Sequence, residues 1–159
     1  MEIRLAVPAD ADALCALYEI FFDQNAAEQP EYYRPVQYPT SASDYGAYPK
    51  SVIASESADF LVAVQDSEVI GFIHVSEDKT SPYASIVPHR FAHVVDFVVR
   101  PDRRNCGVGA LLLEHAKQWA QARNLDYLEL FVLKQNENAH RFYRAHEFGD
   151  VSTTMRCPL

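Results

Sequence analysis

The chain is poor in cysteine. It has three, Cys15, Cys106 and Cys157, an odd number with no metal-ligand spacing. A disulfide framework is not expected, and a reducing compartment is. It also lacks any run of the about 18 apolar residues that a membrane-spanning helix needs. Glu2, Asp10 and Asp12 precede the first apolar stretch, so the basic-then-apolar order of a secretory signal is missing and the expected address is the cytoplasm. Positive charge is short as well. Lys plus Arg number 14 against 22 Asp plus Glu, a formal net charge of -8, which leaves no global field for gripping nucleic acid or an anionic membrane. The aromatic residues are not interleaved with a basic stripe, so RNA binding is not expected either. There is no Gly-x-Ser-x-Gly elbow for a serine nucleophile and no His/Asp/Glu set at metal spacing, so no metal is expected.

What is present is the composition of an ordinary globule. Hydrophobic residues make up 48% and charged residues 23% of 159 residues, enough for one domain over 1–159 to bury a core without staples. The elements follow from periodicity. Residues 3–7 alternate as a short strand, and Leu14, Leu17, Tyr18 and Phe21 mark one face of a helix that Asp10 is placed to cap. Residues 60–64 and 69–75 read as a hairpin across a polar turn at 65–68, with a connection over 76–90. A strand at 94–99, a helix at 108–123, a strand at 127–133, a helix at 138–146 and a last strand at 151–156 complete the order. Strands followed by strand–helix–strand–helix–strand predict a mixed α/β domain around one sheet. Residues 25–50 stand apart: they hold four of nine prolines and five of nine tyrosines (Tyr32, Tyr33, Tyr38, Tyr45, Tyr48). This reads as a long aromatic loop or broken helices, either a lid over core or one wall of a substrate site.

The most informative segment is Val98-Val-Arg-Pro-Asp-Arg-Arg-Asn-Cys-Gly-Val-Gly-Ala110. It is a strand, a tight turn and a helix start. Gly107 and Gly109 let backbone approach a ligand without a side chain in the way. The free N–H groups of the helix start and the helix dipole favour an anion there, and Arg100, Arg103 and Arg104 surround the turn. A Walker loop is excluded because no lysine follows the glycines. A dinucleotide fingerprint would need a glycine where Leu112 stands.

Arg104-x-x-Gly107-x-Gly109 after a Val-x-x-Pro strand end resembles the coenzyme A pyrophosphate loop of the GNAT superfamily of N-acetyltransferases. Downstream, Asn136-x-x-Ala139-x-x-Phe142-Tyr143, ending in Glu147-Phe148, is similar to that family's second signature. The resemblance covers 94–156 closely and 1–75 only in the order of elements. It implies a sheet whose central strands splay apart, flanked by helices, with acetyl-CoA as cosubstrate. By position, the backbone of Phe97, Val98 and Val99 would bond the acyl group and pantetheine amides. Arg104, Asn105, Cys106, Gly107, Val108, Gly109 and Ala110 would cradle the pyrophosphate, and Asn136 would bond the pantetheine arm or the substrate side. Tyr143 would stand near the thioester sulfur, where a phenol with ordinary pKa about 10 is protonated and ready to donate to a departing thiolate; packing is its other use.

Where the family often places a Glu before the loop, this strand offers Asp96, with His93 three residues earlier. Asp96 would accept the amine's proton, directly or through water, bind a cationic amine, or hold a nearby backbone group. His93 is the second candidate base. Asn105 and Cys106 depart from the family's usual Gly and basic residue, and Asn tolerates a positive φ better than most residues. Glu147 replaces the Gly that normally ends the helix in a left-handed turn, so another helix exit is expected.

The expected function is therefore transfer of an acetyl group from acetyl-CoA to a primary amine of a small molecule or peptide. The alternatives are a catalytically silent acyl-CoA-binding regulatory module and a Tyr-rich interaction domain without cofactor. Acidic balance and tyrosines favour a cationic acceptor. Related domains often pair as homodimers, and nothing in the sequence marks such an interface.

Overall fold

The computed structural model describes residues 1–33 and 46–157. Five strands form one sheet in the order β1 (Glu2–Leu5), β2 (Ala58–Gln65), β3 (Glu68–Lys79), β4 (Arg90–Val99), β5 (Leu128–Leu130). The first four are antiparallel neighbours, and β5 runs parallel to β4. Helices α1 (Ala11–Glu28), α2 (Ala47–Ile53), α3 (Val108–Ala122) and α4 (Glu137–Ala145), with single 3-10 turns at Pro8–Asp10 and Pro101–Arg103, complete the described elements. No helix among the described residues is long and apolar enough to cross a membrane.

The period-2 pattern of β2 and β3 fills both faces of the sheet. Leu61, Ala63, Ile73 and Val75 pack with Leu112, Leu113, Ala116 and Trp119 of α3. Phe60, Val62 and Phe72 pack with Leu14, Leu17 and Tyr18 of α1 and Val52 of α2. Each fully buried Leu or Phe contributes about 1.5–3 kcal/mol over its exposed state, so these two clusters clamp the sheet between α3 and the α1–α2 pair. The β2–β3 hairpin turns at Asp66 and Ser67, both at positive φ (52° and 65°), a conformation matched to the twist of the flanking strands.

One irregularity positions the site. β3 and β4 are in register at His74↔Asp96, but the next pair is Val75↔Val94, so Val95 is an extra residue in β4. Before this bulge the even residues Ala92 and Val94 face α3; after it the odd residues Phe97 and Val99 do. The parity change turns Asp96 and Val98 towards α1.

Three expectations are corrected. Residues 151–157 form no strand and are exposed, with Val151 and Met155 each 90% open to solvent. Asp10 precedes α1 but makes no cap bond to it; its carboxylate instead takes Arg4 at 2.7 and 3.0 Å and the Val7 N–H at 2.8 Å. These partners hold the Asp10 carboxyl below the usual carboxylate range, the Arg4 hydrogen bond first among them. Finally, α4 leaves by the left-handed route despite lacking glycine: Glu147 adopts φ 72°, and the Phe148 N–H bonds the Tyr143 carbonyl at 3.1 Å. A side chain in that conformation is strained. The Lys117–Glu147 contact, 3.7 Å with Glu147 91% exposed, offsets little of the strain. Glu147→Gly is therefore expected to stabilise the fold by about 1 kcal/mol, read as a rise in Tm of roughly 2–4 °C. An unchanged or lower Tm would show that the exposed ion pair outweighs the strain.

Candidate active site

β4 and β5 pair only over Ala92–Val94 and Leu128–Leu130. Beyond Val94, the edge of β4 turned away from β3 has no partner strand among the described residues, while the chain after β5 runs on through 131–133 without pairing. Between them opens a cleft of about 250 Å³. Its walls are residues 93–97 of β4, residues 130–133, the start and middle of α4, and the end of α1 with Tyr33. An unpaired strand edge offers alternating N–H and C=O groups, the hardware for an amide-bearing ligand lying alongside it.

Asp96 lies on the wall of this cleft, and its carboxylate is tied down from behind. The Tyr18 O–H donates to Asp96 Oδ2 at 2.7 Å, and His74 Nδ1 lies 3.8 Å from the same oxygen. Tyr48 Oη is 3.3 Å from His74 Nδ1, so the two tyrosines, the histidine and the carboxylate form one polar cluster. Phe21, Phe22, Tyr48, Phe60 and Phe72 all contact the Tyr18 ring. Their exclusion of water pushes the Tyr18 phenol strongly up, and the Asp96 charge pushes it further. Tyr18 is thus fixed as a neutral donor. The Asp96 side chain keeps 19% exposure, so the carboxylate reaches the cleft while one oxygen is held.

At the end of β4, residues 101–103 make a single 3-10 turn before Asn105 and Gly107 take φ 59° and 81°. Gly107 is the N-cap of α3, and a Cβ there would meet nothing within 4 Å. The left-handed turn requires the glycine, and the space beside it is open to a ligand. Gly109 differs: a Cβ would sit 3.4 Å from Phe142 and 3.6 Å from Phe97, so this glycine seats the first turn of α3 against β4 and α4. The first N–H groups of α3 lack intrahelical partners, as at every helix start, and the dipole favours an anion there. The arginines around the turn are not equivalent. Arg100 is engaged by Asp102 at 2.7 Å and Glu68 at 3.0 Å, and Arg103 lies 3.5 Å from Asp102. Arg100 therefore drops out of the expected anion pocket. Arg104 bonds the Val99 carbonyl at 3.0 Å and Gln24 Oε1, with no carboxylate partner among the described residues, so its charge stays uncompensated. Cys106 is exposed, and its thiol donates to the Arg104 carbonyl at 3.3 Å.

Tyr143 of α4 faces the same cleft, its ring packed against Phe142 and Phe148. Burial pushes its phenol up to about 12. Asn136 also lines the cleft, but its Oδ1 caps α4 by accepting the Ala139 N–H at 3.0 Å. The amide left to meet a ligand is its Nδ2.

Of the residues singled out from sequence, Asp96, Phe97, Asn136, Tyr143 and His93 meet in the cleft. Val98 does not: its side chain is buried against α1. Val98 and Val99 lie on the backbone path between the cleft and the turn at 104–110. Tyr18 and His74 were missed as functional residues, whereas Tyr48 belongs to the Tyr-rich segment read as either lid or site wall. Tyr18 stands 78 positions from Asp96 in sequence, on what reads as a purely apolar helical face. His74 is 4% exposed and passes for core. The one available signal was a polar group, a hydroxyl at Tyr18 and an imidazole at His74, on each of two otherwise apolar positions. Tyr38 and Tyr45 of the Tyr-rich segment lie outside the described residues. Within that segment α1 runs on to Glu28 and α2 begins at Ala47, so its described ends are helical.

Comparison with known proteins gives the class. The Acetyltransferase (GNAT) family model matches residues 12–148. A protein from Archaeoglobus fulgidus named an uncharacterized N-acetyltransferase is 29% identical over 147 residues, 92% of each chain. Among solved structures, a mutant of the BH1408 protein from Bacillus halodurans superposes with TM-score 0.89 at 22% identity, over 100% of this chain and 99% of that one. The aminoglycoside N-acetyltransferase AAC(6')-Iy, solved in complex with CoA, gives TM-score 0.75 at 13% identity, over 99% and 98%. The chain belongs to the GNAT family and is an acetyltransferase.

Proposed function

We propose that this chain transfers an acetyl group from acetyl-CoA to a primary amine within the cleft between β4 and the segment that follows β5. The observation that carries the reading is the unpaired edge of β4, which leads from the open side of Gly107 to a cleft holding both Asp96 and Tyr143. The residues fit the cosubstrate. The α3 start and Arg104 suit its pyrophosphate, the backbone of Phe97, Val98 and Val99 its amide-bearing arm, and Nδ2 of Asn136 a carbonyl along that arm.

Acetyl-CoA supplies an activated acyl group as a thioester. The chain's own residues do the rest. The Asp96 carboxylate draws the cationic acceptor in; the ammonium gives up one proton to water before attack, and Asp96 takes the second proton that nitrogen loses as the C–N bond forms. Tyr18 holds one carboxylate oxygen so that the other faces the amine. Tyr143 gives its phenolic proton to the sulfur as the C–S bond breaks, and solvent restores it. The aromatic surroundings of Asp96 and the surplus of negative charge both favour an ammonium-bearing acceptor.

The direct test is release of free thiol from acetyl-CoA over a panel of primary amines. Amine-dependent release supports the reading, and its absence over the whole panel counts against it. Within that assay, Tyr18→Phe removes a hydrogen bond to a charged group, worth about 1.5–3 kcal/mol. Its expected effect is a fall of roughly tenfold or more in kcat/KM for the amine, with acetyl-CoA affinity kept. Equal loss of both would mean that Tyr18 acts through packing alone.

A further inference from the structure

The last turn of α1 and its C-cap residue carry two polar groups that no other described residue uses. Asn25 Nδ2 and Gln29 Oε1 are buried and have no hydrogen-bond partner among the described residues. Both residues line the cleft, and Gln29 is only 6% exposed. They are four residues apart on one helical turn, held there by the Gln29 N–H bonding the Asn25 carbonyl at 2.8 Å, so their side chains project from the same face. One is a donor and the other an acceptor. Leaving buried polar groups unpaired is costly, and native proteins leave few of them.

We infer that Asn25 and Gln29 are a docking pair for the backbone of the acceptor, and that the amine acetylated here is carried on a peptide. An extended peptide residue presents its own N–H and C=O to one side, as a strand residue does to its neighbour. A donor and an acceptor side by side match that residue with both bonds made. A polyamine offers donors and no carbonyl, so it would leave Nδ2 of Asn25 unpaired. A simple alkylamine, its one nitrogen taken by Asp96, satisfies neither group. Asp96, on the same cleft, would take the ammonium while the α1 pair holds the chain that bears it. This rests on the acetyl-transfer reading and specifies its acceptor.

The test compares, at saturating acetyl-CoA, a short alanine peptide with a free α-amine and a blocked peptide carrying one lysine against butylamine, spermidine and an aminoglycoside. One of the two peptides is expected to exceed butylamine in kcat/KM by roughly tenfold to a hundredfold, about the factor that leaving one buried hydrogen-bonding group unpaired costs. Gln29→Leu and Asn25→Leu should each pull that ratio towards one. Gln29→Leu should also raise the Tm of the free protein by roughly 2–6 °C, because it removes an unpartnered buried carbonyl oxygen; a residue with a merely structural role would lower it. Preference for spermidine or the aminoglycoside, or a ratio unmoved by both variants, overturns the inference while leaving acetyl transfer intact. Weakened acetyl-CoA binding in the variants overturns it too, by giving the pair to the amides of the pantetheine arm. No turnover with any amine, together with no binding of acetyl-CoA, overturns the acetyl-transfer reading and the inference with it.

Discussion

Tyr143→Phe is expected to lower kcat by about a hundredfold to a thousandfold, the range for loss of a positioned acid or a preorganised donor. The dissociation constant for acetyl-CoA should barely move, since the ring keeps its packing on Phe142 and Phe148. The pH profile separates this role from packing. Burial raises the phenol to about 12, so the neutral, donating form persists as pH rises and is lost only near that value. Tyr143 should therefore add no alkaline limb to kcat below about pH 11. Equal losses in kcat and in acetyl-CoA affinity would reduce Tyr143 to a core side chain.

Gly71→Ala is expected to cost about 3 kcal/mol of stability and lower Tm by roughly 6–12 °C. Gly71 sits in β3 opposite Val99, and an added Cβ would lie 2.8 Å from the Val98 carbonyl oxygen and 3.3 Å from the Val99 Cα. Those are backbone atoms, so no side chain can swing away to make room; β4 itself must move. It would move just where its free edge leads to the Gly107 turn, and acetyl-CoA binding should weaken with stability. Gly149→Ala is the control, because nothing lies within 4 Å of a Cβ there. A Gly71→Ala variant as stable as the parent would show that β4 accommodates the methyl.

Much of this architecture is local and therefore legible in sequence. The β2–β3 hairpin, the stripe Val108, Leu112, Ala116 and Trp119, and the glycine turn before α3 each depend on neighbours within a few residues. Asn105 at positive φ follows from its side chain in the same way. The β4 bulge is also written in the sequence, as apolar positions at 92 and 94 that resume at 97 and 99, although such a break in parity is hard to tell from a strand buried on both faces. What stays hidden is what chain folding brings together. The Tyr18–Asp96 bond joins α1 to β4, and the polar atoms of Asn25 and Gln29 matter only because a cleft opens beside them. The tail at 151–157 alternates well enough to read as a strand but pairs with nothing in the sheet. Period-2 patterning describes a strand's faces and says nothing about whether an edge is available. Glu147 was misread for another reason: the Phe148 N–H bond to Tyr143 closes the helix in a left-handed turn whichever residue occupies the position.

The central claim is that the free edge of β4 and the turn at Gly107 together hold acetyl-CoA. Calorimetric titration of the purified protein with acetyl-CoA, with ATP and NAD as controls, tests it most directly. Selective binding at micromolar concentration is expected, weakened when Arg104 is replaced by Ala. A folded sample that binds no acetyl-CoA, or binds ATP equally well, would contradict it.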